Sequence, residues 1–180
     1  KEANTLDEMI GDVLKLSRLE AQSQMLNKEQ QPFNLVLKPV LSDAKFEAKQ
    51  NNKSLNIIGE QNSEFSFDGQ ILSSALDNVL RNAIKYANNE ITVKLKQTKD
   101  DIEITISDDG LGVPKEDLNN LFEPFFRVSQ SRQRNSGGTG LGLAICKHAI
   151  LAHNGSIKLH NQKDSGLSVI IKLPKNTEGV

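Results

Sequence analysis

The chain has 180 residues, 22 lysines and arginines against 23 aspartates and glutamates, and a net charge of -1, so no basic field marks it for nucleic acid or anionic lipid, and any anion must be held by a local pocket. That length suits one well-buried domain plus a short appendage; nothing in it approaches the run of about 18 apolar residues that a membrane span requires, and no signal-peptide layout opens it. A single cysteine, Cys146, excludes an internal disulfide or a thiol metal site and fits a reducing, intracellular setting. The first residue is Lys1 rather than methionine, as expected of an excised fragment.

Up to about Met25, Leu6, Met9, Ile10, Val13, Leu14, Leu16 and Leu19 recur at three- and four-residue steps between charged residues, which predicts one amphipathic helix. Periodicity leaves two partners open for its apolar stripe: the following domain, or other helices of a hairpin or dimer bundle. Gln22 to Gln31 is polar and Pro32 follows it, the composition of a linker. Phe33 to Leu35 reads as a short strand and Pro39 to Gln50 as a helix with its proline in the first turn. Ser54 to Gly59 and Glu64 to Phe67 are strand candidates. Asp68 is placed to cap a long helix ending near Tyr86, with Leu72, Leu76, Val79 and Leu80 toward the core.

Glu90 to Gln97 and Asp101 to Ser107 alternate apolar and polar residues as half-buried strands do. Pro114 to Phe122 can form a short helix. Glu123 to Gly138 is polar and without period, the character of a lid. A helix over Leu141 to Ala152 and strands over Ser156 to His160 and Leu167 to Leu173 complete the domain, with Pro174 expected to end the pairing. The sum is an α+β two-layer sandwich, a mixed and mostly antiparallel sheet with helices on one face, preceded by one long helix.

Four stretches carry chemistry. On the long helix, Asn78 and Asn82 are one turn apart and Lys85 follows on the same face, so two amide oxygens and an ammonium can together handle a hydrated Mg²⁺ and a polyphosphate. Alone, they would read as a solvated polar stripe. Ser107-Asp108-Asp109-Gly110-Leu111-Gly112 follows an apolar strand; its glycines let a ligand approach the backbone, and an ionised Asp108 can accept from the exocyclic amine of adenine while repelling the carbonyl of guanine. Alone, aspartates before glycine are common in tight turns. Phe122, Phe125 and Phe126 crowd the base of the lid beside Arg127 and read as a hydrophobic anchor. Gly137-Gly138-Thr139-Gly140-Leu141-Gly142 runs into a helix N-terminus, where bare backbone N–H groups can hold an anion. It is neither a dinucleotide fingerprint, since no strand precedes it and the spacing differs, nor a P-loop, since no Gly-Lys-Ser/Thr follows.

In this order the four stretches resemble the N, G1, F and G2 boxes of the histidine-kinase catalytic domain, the Bergerat or GHKL fold shared with gyrase, Hsp90 and MutL, over about residues 33 to 174. The opening stretch Leu6 to Arg18 resembles the second helix of the kinase dimerisation hairpin, in particular that of Cpx-type envelope-stress sensor kinases. The resemblance implies domains at 1–26 (incomplete dimerisation hairpin), 27–32 (linker), 33–175 (ATP-binding domain with a lid at about 123–138) and 176–180 (tail). It implies ATP and Mg²⁺ as cofactors: Asn82 as the metal ligand, Asn78 as second ligand or phosphate contact, Lys85 and Tyr86 toward the phosphates, Asp108 on adenine, and Gly110 and Gly112 in the pocket floor. Gly138, Thr139, Gly140, Leu141 and Gly142 would close over the triphosphate, Arg127 would contact the γ-phosphate, and Ser168 would stand near the base.

Gyrase-like members place a glutamate one turn before the magnesium asparagine to activate water. Asn78 stands there in this sequence, and a carboxamide cannot act as that base; transfer of the γ-phosphoryl is therefore expected rather than rapid hydrolysis, resting on orientation and electrostatics. The family's acceptor, a histidine followed by an acidic residue, does not occur in this sequence, and His148, His153 and His160 read as surface or packing residues. The implied partners are ATP and ADP, a dimerisation helix bearing the acceptor histidine, a response-regulator receiver domain and, for the full-length protein, a second copy; no nucleic acid is expected. The implied location is a cytoplasmic domain of a protein anchored in the inner membrane. An ATP-gated clamp or chaperone-type ATPase and a non-catalytic nucleotide-binding module are the alternatives; Asn78 and the Phe122–Arg127 stretch argue against the first, the intact Asn82, Lys85, Asp108 and glycine run against the second.

Overall fold

Period-two alternation in the central strands dictates one apolar sheet face, and the helices cover it. The computed structural model describes residues 10–11, 13–14, 26–60, 62–128, 138–163 and 165–175. Most of the predicted N-terminal helix, lid residues 129–137 and the tail 176–180 lie outside these; residues 10–11 and 13–14 are helical, with Ile10, Val13 and Leu14 exposed.

The elements are β1 (Glu29–Pro32), α1 (Asn34–Gln50), β2 (Ser54–Ile58), β3 (Glu64–Phe67), α2 (Gly69–Tyr86), β4 (Glu90–Gln97), β5 (Asp101–Asp108), α3 (Gly142–Ala152), β6 (Ser156–Asn161) and β7 (Leu167–Pro174), with two short 3₁₀ turns at Lys115–Asp117 and Asn119–Phe122. Five strands form the main sheet in the order β2-β4-β5-β7-β6. β2 runs parallel to β4 and the remaining pairs are antiparallel. Register sets apolar rows straight across the helix-facing side: Val93 opposes Ile106, which opposes Val169, which opposes Leu159. Leu72, Ala75, Leu76, Val79 and Leu80 of α2 and Ala149 and Ile150 of α3 bury against the same core. Full burial of each Leu or Ile contributes about 1.5–3 kcal/mol, so these rows dominate the fold's stability. The opposite face carries exposed charge such as Lys172–Glu103 at 3.1 Å, which contributes little.

Asp68 begins α2 as expected: its carboxylate accepts from the N–H groups of Gln70 and Ile71, both at 3.1 Å, a cap worth about 1 kcal/mol. The backbone N–H of Asp68 donates to Nε2 of buried His153 at 3.0 Å, while Nδ1 of that ring lies 2.7 Å from the Ala149 carbonyl. The ring is therefore an Nδ1-protonated packing group.

Four expectations need correction. The strand expected at Phe33–Leu35 is instead the start of α1, and the strand lies just before it at Glu29–Pro32, inside the stretch read as linker. β1 pairs with β3 in a separate two-stranded sheet, where polar residues and a terminal proline are tolerated at an edge. Phe33 is fully buried against Phe65 and Phe67, with ring centroids 5.5 Å away from each, and this packing starts the helix early. Pro39 consequently sits inside α1 rather than in its first turn, costing a hydrogen bond that tertiary packing offsets. The helix expected at Pro114–Phe122 splits into the two 3₁₀ turns, and Pro174 remains in register opposite Asp101 rather than ending the pairing.

Candidate functional site

A cavity of about 670 Å³ opens beside the C-terminal half of α2. The apolar stripe of α2 faces the core, so its other face must turn outward, and that face holds Asn78, Asn82 and Lys85. Asp108, Gly112, Gly138, Gly140 and Gly142 line the same cavity, as do Tyr86, Arg127 and Thr139. Stretches separated by tens of residues thus converge on one concavity.

Asp108 ends β5 on the helix-facing side, in step with Ile102, Ile104 and Ile106, and is buried. Its Oδ1 accepts from the N–H groups of Gly110 at 2.9 Å and Leu167 at 3.4 Å. Burial pushes its carboxyl above the ordinary range; those two amides and the Lys53 ammonium pull it down, while neighbouring Asp109 pushes it up. Gly110 lies behind the wall rather than in it: a Cβ there would stand 2.3 Å from the Tyr86 carbonyl oxygen, so only glycine lets β5's end pass the end of α2.

At the other end, α3 begins directly on the polar face of α2. A Cβ on Gly138 would lie 2.7 Å from Lys85 Nζ, and one on Gly142 3.4 Å from Asn78 Oδ1. Gly138 and Gly140 have φ of +135° and +76°, which side-chain-bearing residues adopt only with strain. The residues present suit a magnesium nucleotide: amide oxygens for a hard hydrated cation, an ammonium and a helix N-terminus for phosphate, and a buried carboxylate for a base amine. Among the described residues no group of three or more His, Cys, Asp or Glu forms a metal cluster.

Besides Gly110, two expected site residues are not in the cavity lining. Leu141 is fully buried and packs with Ile145; only its backbone meets the loop, donating to Thr139 Oγ1 at 3.2 Å. Ser168 pairs across the ladder with Ser107, their hydroxyls 2.7 Å apart, on the sheet face opposite Asp108; Leu167 beside it lines the cavity instead. Of the three phenylalanines read as an anchor, Phe122 and Phe126 are partly buried, Phe122 under Lys147 of α3 and Phe126 in the cavity lining; Phe125 is 52% exposed with a φ of +64° and contributes through its backbone, its N–H donating to the Gly140 carbonyl at 3.1 Å.

Other residues were not foreseen. Lys53 Nζ donates to the Ile84 carbonyl at the C-terminus of α2, where a cation also meets the helix dipole. Asp109 accepts from the N–H groups of Asn88 at 2.7 Å, Asn89 at 3.0 Å and Glu90 at 3.1 Å. Slight burial raises its carboxyl, yet the amides of Asn89, Glu90 and Asn88 outweigh that and hold it below the usual range. Asn161, Gln162 and Ser165 bond the backbone around Asp108 to Val113. These contacts join residues about 20 to 60 positions apart, and no local pattern announces them.

Residues 67–177 match the family model described as histidine kinase-, DNA gyrase B-, and HSP90-like ATPase. The sensor histidine kinase CpxA of Escherichia coli K12 is 41% identical over 182 residues, covering 96% of this chain and 38% of CpxA; the chain thus spans well under half of that relative. The histidine kinase AdeS of Acinetobacter baumannii superposes with a TM-score of 0.78 at 26% identity, over 97% of this chain and 81% of that one. Full-length ShkA, solved in complex with AMPPNP, superposes with a TM-score of 0.82 at 21% identity, over 99% of this chain and 38% of that one, a likeness of fold.

Proposed function

Because the chain belongs to the histidine kinase-, DNA gyrase B- and HSP90-like ATPases, we propose that its cavity holds MgATP as the phosphoryl donor of a two-component sensor histidine kinase. The observation that carries this reading is the convergence of buried Asp108 with Asn78, Asn82, Lys85 and the glycine run on one cavity. Asp108 accepts from the adenine amine. Asn82 holds the metal, with Asn78 as second ligand or phosphate contact. Lys85, Tyr86, Arg127 and the backbone from Gly138 to Gly142 take the phosphates. Mg²⁺ would supply charge neutralisation between phosphate oxygens.

In the intact protein the γ-phosphoryl passes to a histidine on a dimerisation helix and then to a response-regulator aspartate. The likeness of the Leu6–Arg18 stretch to the dimerisation hairpin and the similarity to CpxA support this order. Asn78 in the position where gyrase-like members carry a glutamate supports transfer over hydrolysis, since no carboxylate stands there to activate water. We place the domain in the cytoplasm of a membrane-anchored homodimer; among the described residues no helix is long and apolar enough to cross a membrane.

The test mixes this chain with a separate hairpin carrying the acceptor histidine and follows label from γ-labelled ATP. Acid-labile label on the hairpin is expected, with none on this chain alone. ATP binding without transfer to the hairpin would overturn the kinase reading.

A further inference from the structure

The loop that follows the proposed base-recognising carboxylate at the end of β5 outruns its own sheet. Pairing with β7 stops at Ser107–Ser168, and pairing with β4 stops at Ile91–Asp108. On the β7 side the ladder is lost from Asp108 onward, and on the β4 side it ends where the Asp109 N–H donates to the Glu90 carbonyl at 3.2 Å; unpaired backbone in a half-buried wall is costly. The partners come from the last residue of β6 and the turn that follows it. Asn161 makes a reciprocal pair with Val113: its Nδ2 donates to the Val113 carbonyl at 2.6 Å, and its Oδ1 accepts from the Val113 N–H at 2.9 Å. Gln162 Nε2 donates to the Asp108 carbonyl at 2.6 Å, and the Ser165 hydroxyl donates to the Gly110 carbonyl. The Gln162 N–H closes the turn on the Gly166 carbonyl at 2.9 Å.

The approach is close on both sides. A Cβ on Gly112 would stand 2.8 Å from Asn161 Oδ1, and one on Gly166 1.8 Å from the Asp108 carbonyl oxygen. Gly112 and Val113 both line the cavity, so the chain segment grasped by Asn161 is itself a wall of the nucleotide site. Asn161 is half-buried and stands outside the hydrophobic core. Its backbone pairs with Leu167 at the end of β6, whereas among the described residues its side-chain hydrogen bonds both go to Val113 of this one loop.

We infer that Asn161 is a positioning residue for base recognition: by clamping Val113 it fixes the wall facing Asp108, and so sets the preference for adenine over guanine. This rests on the proposed ATP site. The clamp imitates one rung of an antiparallel ladder with a carboxamide, holding both polar groups of one residue. Gln162 and Ser165 fasten the other end of the same loop. The proposed phosphate contacts lie on α2, at Arg127 and along the glycine run that leads into α3, and Asn161 bonds none of them.

The experiment compares Asn161→Ala and Gln162→Leu with the unsubstituted chain, titrating MgATP, MgGTP and Mg²⁺ tripolyphosphate, with thermal melting alongside. For Asn161→Ala, ATP binding should weaken about tenfold, the scale of losing a pair of hydrogen bonds. The ratio of ATP to GTP affinity should shrink while tripolyphosphate binding holds; Gln162→Leu should move the same ratio in the same direction. An unchanged ratio, or equal weakening of ATP and tripolyphosphate, overturns the positioning role while leaving the ATP site standing. No ATP binding by the unsubstituted chain overturns both.

Discussion

At the Asp108 end the cavity wall is sheet, a buried carboxylate at a strand terminus with its loop buckled to a neighbouring hairpin. At the Asn82 end the wall is the polar face of α2 set against the glycine-rich start of α3. On the proposed assignment of base and phosphates, the chemistry of the two ligand ends would account for the difference. A base is a rigid plate whose identity is read by the direction of one or two hydrogen bonds, so its reader must be held still. A polyphosphate is flexible and highly charged; long side chains, amide oxygens and backbone N–H groups meet it without needing a single fixed direction.

If the ends are independent, their variants should fail in different ways. The largest effect is expected from Asn82→Ala, which removes the proposed metal ligand. Phosphoryl transfer to a supplied hairpin should fall more than about 100-fold, on the scale of several kcal/mol of lost charge stabilisation. ATP titrations with and without Mg²⁺ should then coincide; a persisting Mg²⁺ dependence would reassign the metal.

Next, Asp108→Asn removes a charge-assisted hydrogen bond worth about 1.5–3 kcal/mol, so ATP affinity should drop by about 10- to 150-fold. Its Mg²⁺ dependence should remain, and unchanged ATP affinity would contradict the adenine assignment. Because burial raises the Asp108 carboxyl, the same loss should set in on acidification at a higher pH than for an exposed aspartate.

A smaller effect is expected in the glycine run at the Asn82 end. Gly140 has a φ of +76°, and a Cβ there would lie 2.9 Å from the Phe125 carbonyl carbon. Gly140→Ala should cost about 1–2 kcal/mol from the left-handed backbone alone. ATP and tripolyphosphate should weaken together, in contrast to Asp108→Asn. A selective loss of adenine discrimination would break the division between the ends.

The smallest expected change lies in the scaffold beneath both. Burial lowers the His153 pKa from 6.5; the Ala149 hydrogen bond and Asp68 oppose this, and Lys28 adds to it. The native ring therefore stays neutral while the unfolded chain takes up a proton. The associated stability is fully present above pH 6.5 and declines as pH falls below it. Denaturant midpoints at pH 7.5 and 5.5 should differ in that direction, by less in His153→Gln.

Legibility in the sequence followed the range of the interactions. The strands β4 and β5 and the helix α2 were readable because alternation, a 3.6-residue period and the Asp68 cap are local signals. Asn78, Asn82, Lys85 and Asp108 were each ambiguous in their own short stretch and took on a candidate chemistry only from the order of the four stretches; the fold brings all four to one cavity. Ser168 was misplaced because strand parity decides which face a residue takes, and a shift of one position moves it across the sheet. α1 was misjudged because a proline signals a helix start locally, whereas the burial of Phe33 against two distant phenylalanines decides where the helix begins. The Asn161–Val113 clamp had no local signal: an asparagine near a turn is ordinary until the fold brings a bare loop beside it.

Cys146 lies in α3 on the core side of the glycine run, fully buried, with burial pushing its thiol up to about 12. As the chain's single cysteine, it is a built-in clock for core opening. A thiol reagent at neutral pH finds almost no thiolate in the closed state, so its labelling rate counts the excursions that expose α3. Because α3 begins at the phosphate end of the cavity, saturating nucleotide should slow that clock through ligand linkage, a factor of about 100 at a hundred times Kd if labelling requires an opening that releases nucleotide.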